Sequence, residues 1–160
     1  MSERFKSLFE NLHAQYLPMV HNMCMGFMKG DKDLANDLTQ EVFMNIWNAL
    51  SGFREEASHK TWIYRITVNT CLQHIRKEKK RKHTTIDEMD HPQEDQEISD
   101  YNNLYQAIGQ LNEIDRLTIM MVLDEVEYDE ISRVLGINAI NLRVKIHRIK
   151  NRLKKMLEHE

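Results

Sequence analysis

Residues 37–82 read DLTQEVFMNIWNALSGFREEASHKTWIYRITVNTCLQHIRKEKKRK, and the rest of the chain is best understood as additions to this run. Its pattern predicts two helices back to back. The first starts after Asp31 or Asp33, either a suitable N-cap, and sets Leu34, Leu38, Val42, Ile46 and Leu50 one turn apart, with Phe43 and Trp47 widening the apolar stripe. That stripe is expected to be buried. Asp37, Gln40, Glu41, Met44 and Asn48 are neighbours on the opposite surface, an outward acidic patch that a protein partner can read. Ser51-Gly52 breaks the helix, and a loop over 53–59 leads into the second. There Trp62, Arg65 and Asn69 share one face while Ile63, Ile66 and Thr70 share another. The helix ends in Arg76-Lys77-Glu78-Lys79-Lys80-Arg81-Lys82, a cationic terminus that suits the helix dipole. Acidic patch, aromatic and Arg/Asn face, and cationic end together suggest a protein partner and nucleic acid bound side by side.

At 160 residues and 41% hydrophobic content the chain has enough apolar material for one domain or two small ones. A formal net charge of −3 argues against nucleic-acid binding only until it is divided along the sequence. No Lys or Arg lies between Lys82 and Arg116, and no Asp or Glu lies between Ile131 and Leu157. The C-terminal segment, with Arg133, Arg143, Lys145, Arg148, Lys150, Arg152, Lys154 and Lys155, is therefore locally cationic. Cys24 and Cys71 both sit in apolar helical settings and are read as buried reduced thiols. The opening residues, MSERFKSLFENL, are charged and amphipathic, unlike a secretory signal, and no apolar run approaches membrane-spanning length. A cytoplasmic protein without membrane insertion is expected.

Over residues 3–29, Phe5, Leu8, Phe9, Leu12, Tyr16, Met19, Val20 and Met23 recur at helical spacing, and Pro18 is expected to kink the helix or to start a second one. The cluster Met19, Met23, Cys24, Met25, Met28 is read as adaptable core packing, because no metal-ligand spacing accompanies it. No metal site, cofactor or catalytic grouping is expected anywhere: there is no HExxH, paired-carboxylate, Ser-His-Asp, Cys-His or glycine-rich phosphate motif. Residues 83–100, with Pro92 and the carboxylates Asp87, Glu88, Asp90, Glu94, Asp95, Glu97 and Asp100, read as a flexible acidic linker. Beyond it Leu104, Ile108 and Leu111 open a second helical unit, and Asn112 is the expected cap of a helix over 113–124 with Ile114, Leu117, Met121 and Val122 inward. A short helix over 128–135 follows. Gly136 supplies a turn residue tolerant of positive φ, Ile137 fills the corner, and Asn138 caps a last helix with Leu142, Ile146, Ile149, Leu153 and Leu157 on one stripe. Short helix, glycine turn and basic helix form a helix-turn-helix pattern, whose second helix enters a major groove.

The words DLTQEVF and FREEASHKTWIYRITVN, followed by a basic end, closely resemble the second conserved region of bacterial sigma factors of the extracytoplasmic-function (ECF) type. YDEISRVLGINAINLRVKIHRIKNRL, residues 128–153, resembles their fourth conserved region. There are two departures: Ser132 stands where a small Ala is usual, and Asn141-Leu142-Arg143-Val144-Lys145 replaces the commoner Thr-Val-Lys-Ser-Arg. The second changes potential base-contacting side chains, so no promoter sequence carries over.

The resemblance implies an all-α chain of two small helical domains, residues 1–82 and 101–160, joined by the acidic linker over 83–100. It implies a sigma factor that binds RNA polymerase core and directs promoter-specific initiation. Asp37, Gln40, Glu41 and Asn48 would dock on the clamp helices of the polymerase β′ subunit. Phe53, Arg54, Ser58, Lys60, Trp62, Tyr64, Arg65 and Asn69 would hold the opened −10 element, and Asn141, Arg143, Val144, Lys145, His147 and Arg148 would read the −35 duplex. A loop pocket, stacking rings and amide or guanidinium donors are what an unpaired base needs. Implied partners are the polymerase β′ and β subunits, promoter DNA and an anti-sigma factor. In the family the linker threads toward the RNA exit path. The rival reading is a helix-turn-helix regulator acting on duplex DNA without polymerase, which leaves the DLTQEVF face and the aromatic face without a purpose.

Overall fold

The computed structural model describes residues 3–54, 57–84 and 100–158. Among them all regular structure is helical: α1 (Glu3–Phe27), α2 (Lys32–Ala49), a single 3-10 turn (Leu50–Gly52), α3 (His59–Thr84), α4 (Asp100–Gly109), α5 (Glu113–Leu123), α6 (Tyr128–Leu135) and α7 (Ala139–Glu158). The helical ends of α3 and α4 take in both edges of the expected linker, whose residues 85–99 lie outside the described residues.

Helix α1 does not divide at Pro18, which lies inside it. The proline removes one amide from the ladder, yet the turns on either side are pinned by packing, with Leu12 and Val20 buried. Asp31, not Asp33, caps α2: its Oδ1 accepts from the amide of Leu34 at 3.1 Å. Leu38, Val42, Phe43, Ile46 and Leu50 are buried as their spacing predicts, whereas Leu34, in the first turn beyond the packed part of the stripe, remains 37% exposed. Asn45 of α2 donates to the hydroxyl of Thr70 on α3 at 3.0 Å, tying the two helices side by side. Cys24 and Cys71 are buried and in no disulfide, and their shared hydrogen bond together with burial holds the Cys71 thiol well above its ordinary value.

In the C-terminal half, Asn112 Oδ1 accepts from the Asp115 amide at 2.9 Å and Asn138 Oδ1 from the Ile140 amide at 2.8 Å, so both caps read from the sequence are made. Gly136 closes α6 with φ 67°, a left-handed conformation that side chains resist. Ser132, the unusual residue of this turn, donates its hydroxyl to the Ile137 carbonyl, while the Ile137 amide donates back to the Ser132 carbonyl at 3.2 Å.

Helix α5 is buried on more than its predicted face: besides Leu117 and Met121, the side chains of Arg116, Thr118, Ile119 and Met120 are buried. The cause is position, because α5 packs against α1 as well as against α4, α6 and α7. The two halves of the chain thus meet along one seam. At Gly26 of α1 an added Cβ would lie 2.2 Å from Met120 Sδ, so this glycine leaves the space into which the Met120 side chain of α5 packs.

Candidate functional site

The outward face of α2 is as the sequence suggests. Asp37, Gln40, Met44 and Asn48 are exposed and Glu41 half-buried. Gln40, Met44 and Asn48 also line the edge of an open cleft of about 1150 Å³ between α1 and α2, whose walls include Phe9, His13, Phe43 and Trp47. Phe9 meets Trp47 edge-on with centroids 5.1 Å apart, and His13 lies 4.5 Å from Phe43. Met44 is 65% exposed at its rim. The sequence signal for this cleft was available: Phe9 and His13 stand one turn apart on α1, opposite the aromatic residues of α2.

Around the start of α3 the predicted residues fall into two groups. Phe53 packs on Trp62 and His59 with centroids 4.8 and 4.9 Å away, a small aromatic platform. Arg54, Ser58 and Asn69 are exposed, and Lys60, Trp62 and Arg65 half-buried. Tyr64 differs: it is fully buried, and its hydroxyl donates to the carboxylate of Asp124 at the end of α5. Burial above all, then the hydrogen bond and charge of Asp124 and the charge of Glu130, push the Tyr64 phenol far above its ordinary value. One turn earlier Thr61 donates to Glu130 of α6 at 2.6 Å and receives the Ser58 hydroxyl at 3.0 Å. Farther along, Lys79 reaches Glu113 at 3.3 Å. Thr61, Asp124 and Glu130 were not anticipated, because partners 60 or more positions apart leave no local pattern.

Arg116 completes the seam. It is 5% exposed, its guanidinium lies 5.0 Å above the Phe27 ring, and it donates to the Leu111 carbonyl at 2.7 Å. Burial draws its pKa below the usual value, only partly offset by the Glu113 carboxylate. Among the described residues its Nε has no hydrogen-bond partner.

On α7 the stripe of Leu142, Ile146, Ile149 and Leu153 is buried, which turns Asn141, Arg143, Val144, His147 and Arg148 outward, all exposed. Lys145 is held back by Asp115 of α5 at 2.8 Å. His147 pairs with Asn151 at 3.2 Å. An exposed helix N-terminal half carrying Arg, Asn and an apolar Val offers both phosphate and base-edge contacts.

Among the described residues the chain is all-helical, with a helix-turn-helix following an aromatic platform on an earlier helix, an arrangement found in DNA-binding transcription proteins, and comparison with known proteins gives the class as sigma factors. Residues 12–81 match the Sigma-70 region 2 family and residues 101–153 the Sigma-70 region 4 family. RNA polymerase sigma factor YlaC of Bacillus subtilis is 26% identical over 162 residues, covering 95% of this chain and 93% of the relative. ECF RNA polymerase sigma factor SigM of the same organism is 26% identical over 153 residues, covering 91% and 92%. The sigma factor RpoE of Bartonella quintana, solved in complex with the anti-sigma factor NepR, shares the fold with a TM-score of 0.78 at 20% identity, covering 94% of this chain and 96% of that one. The chain belongs to the ECF sigma factors. Among the described residues no helix is long and apolar enough to cross a membrane.

Proposed function

We propose that this chain is the promoter-selecting subunit of RNA polymerase in the cytoplasm, with no catalytic role of its own. Asp37, Gln40, Glu41 and Asn48 dock on the β′ clamp helices, with the aromatic cleft beside them receiving apolar side chains of the same partner. The β subunit is a further partner within the core polymerase. The observation that carries this reading is the separation of α2 into a buried apolar face and an exposed polar face bordering an apolar cleft, which is the anatomy of a protein-docking surface. Phe53, Arg54, Ser58, Lys60, Trp62, Tyr64, Arg65 and Asn69 hold the unpaired −10 strand, through ring stacking and through amide and guanidinium donors.

Asn141, Arg143, Val144, His147 and Arg148 read the −35 duplex, and Lys145 joins them by leaving Asp115. Arg76–Lys82 would supply salt-sensitive backbone affinity. An anti-sigma factor, as in the complexes of RpoE with NepR and of CnrH with the cytosolic domain of CnrY, is the partner that would withhold the chain from polymerase. Run-off transcription from genomic DNA with purified core polymerase tests the proposal. Defined 5′ ends sharing an upstream sequence are expected only when this chain is added. Duplex binding by the chain alone, without any polymerase-dependent transcript, would replace it with a regulator.

A further inference from the structure

We propose that Ile140 and Val144 form an apolar ridge on α7 that reads the 5-methyl groups of thymines in the upstream duplex, so that this chain selects its −35 element in part by hydrophobic contact. The inference rests on the proposed entry of α7 into the major groove, and it adds what that reading leaves open, the kind of base the helix selects. Leu142, Ile146, Ile149 and Leu153 fix the buried side of α7. At about 3.6 residues per turn, the line opposite that stripe passes through Ile140, Val144, His147 and Asn151. Ile140 is 73% exposed on it and Val144 46%. A helix face turned only to water carries polar side chains, and a single exposed apolar residue would need no explanation. These two stand one turn apart and make one surface.

The surroundings of the ridge say what covers it. Arg143 flanks it on one side and Arg148 on the other, both exposed, and no Asp or Glu lies between Ile131 and Leu157. The occupant is therefore a polyanion that offers an apolar group between its charges. In the major groove the only apolar group on a base edge is the thymine 5-methyl, set between two phosphate backbones. The ridge is also held still. Asn138 Oδ1 accepts from the Ile140 amide and the Asn138 carbonyl from the Leu142 amide, both at 2.8 Å, which fixes the first turn of α7. Ile and Val are branched at Cβ and keep one χ1 rotamer in a helix, so little freedom is lost on contact. Val144 stands at the place of the Ser in the commoner Thr-Val-Lys-Ser-Arg, so a methyl contact here replaces a hydroxyl. Farther along the same line His147 and Asn151 pair with each other at 3.2 Å, and the apolar part is confined to the N-terminal turns that reach base edges.

The test removes the methyl groups and leaves the protein whole. Promoter fragments recovered by run-off with core polymerase are remade with deoxyuridine in place of each thymidine of the upstream duplex in turn, which deletes a methyl and no hydrogen bond. With the parent chain and core polymerase, at least one such swap should weaken promoter binding roughly fourfold, the effect of losing one buried methyl-sized contact. Ile140→Ala and Val144→Ala should each bind the thymidine duplex more weakly and lose the response to deoxyuridine at the position they contact, while Ile140→Val keeps it. Melting of the variants should match the parent, since both side chains face outward. The inference is overturned if no swap weakens the parent, if both alanine variants respond to every swap as the parent does, or if they weaken binding to core polymerase itself, which would make the ridge a protein contact. Arg143→Ala and Arg148→Ala separate the two levels of the argument. If these variants also leave upstream protection intact, the groove assignment of α7 fails and the methyl reading with it; if they weaken protection while the swaps do nothing, the groove assignment stands and the methyl reading alone is wrong.

Discussion

The outer face of α2 and the face of α3 assigned to DNA differ in how they are presented. On α2 the polar residues Asp37, Gln40 and Asn48 project from a helix whose apolar face alone is buried, and the cleft beside them stands open. On α3 the aromatic platform of Phe53, His59 and Trp62 is accessible, but the next turn, Thr61 and Tyr64, is covered by α5 and α6. Under the proposed roles, a protein partner would meet an open surface on α2, while a DNA strand would meet a surface on α3 that is partly covered. The difference suggests an order of events: docking first, strand capture second.

The largest effect expected is on the side of α2 that no partner touches. Ile46→Ala, at a fully buried position on α2, a helix that packs against both α1 and α3, should lower stability by about 2–5 kcal/mol in denaturant titration, because the lost side chain leaves a cavity. A loss below about 1 kcal/mol would mean that the core of α2 is looser than its burial implies. On the recognition helix, Arg143→Ala should weaken binding by roughly 1–3 kcal/mol for one base of the −35 duplex if it reads that base, and uniformly across sequences if it holds a phosphate. Lys145→Ala should act less on DNA and more on the fold, since Lys145 is engaged with Asp115. Binding to a randomised duplex library separates these outcomes, and equal sequence effects from both variants would contradict the difference drawn between them.

Asp37→Ala with Glu41→Ala is predicted to leave circular dichroism and melting unchanged while reducing affinity for core polymerase about tenfold, as removal of interface charges commonly does. A melting transition that falls with the affinity would show the face to be structural. The smallest effect is a titration. The folded Tyr64 phenol is shifted upward by burial and by the neighbouring Asp124 and Glu130 carboxylates, so the stability linked to it is fully present below the ordinary tyrosine value of about 10 and is lost as pH rises toward the folded value. Absorbance at about 295 nm should show one of the five tyrosines ionising late. Asp124→Ala should bring it earlier, and five tyrosines titrating together near the ordinary value would contradict a closed seam.

Local chemistry made much of this legible in advance. Asp31, Asn112 and Asn138 cap helices because each places a short polar side chain just ahead of an apolar period, and Gly136 marks its turn for the same local reason. Most of the stripes of α2 and α7 follow from spacing, but Leu157, expected on the α7 stripe, is 39% exposed in the last turn of that helix. Contacts between the halves were not legible. Tyr64 and Arg116 are polar residues that are buried only because a distant helix covers them, and Gly26 looks ordinary until Met120 lies against it. Leu34 shows the converse: its spacing is right, but the packed part of the stripe ends before its turn.

The most direct measurement is permanganate footprinting of a promoter recovered by run-off sequencing, with core polymerase reconstituted with the parent chain, Asn69→Ala or Ser58→Ala. Parent holoenzyme should make thymines of the −10 region reactive. Both variants should reduce that reactivity, and a pre-melted template should restore binding for a variant that has lost melting alone. If both variants open the promoter as the parent does, the exposed surface of α3 does not hold the −10 strand, and the account given for it is wrong.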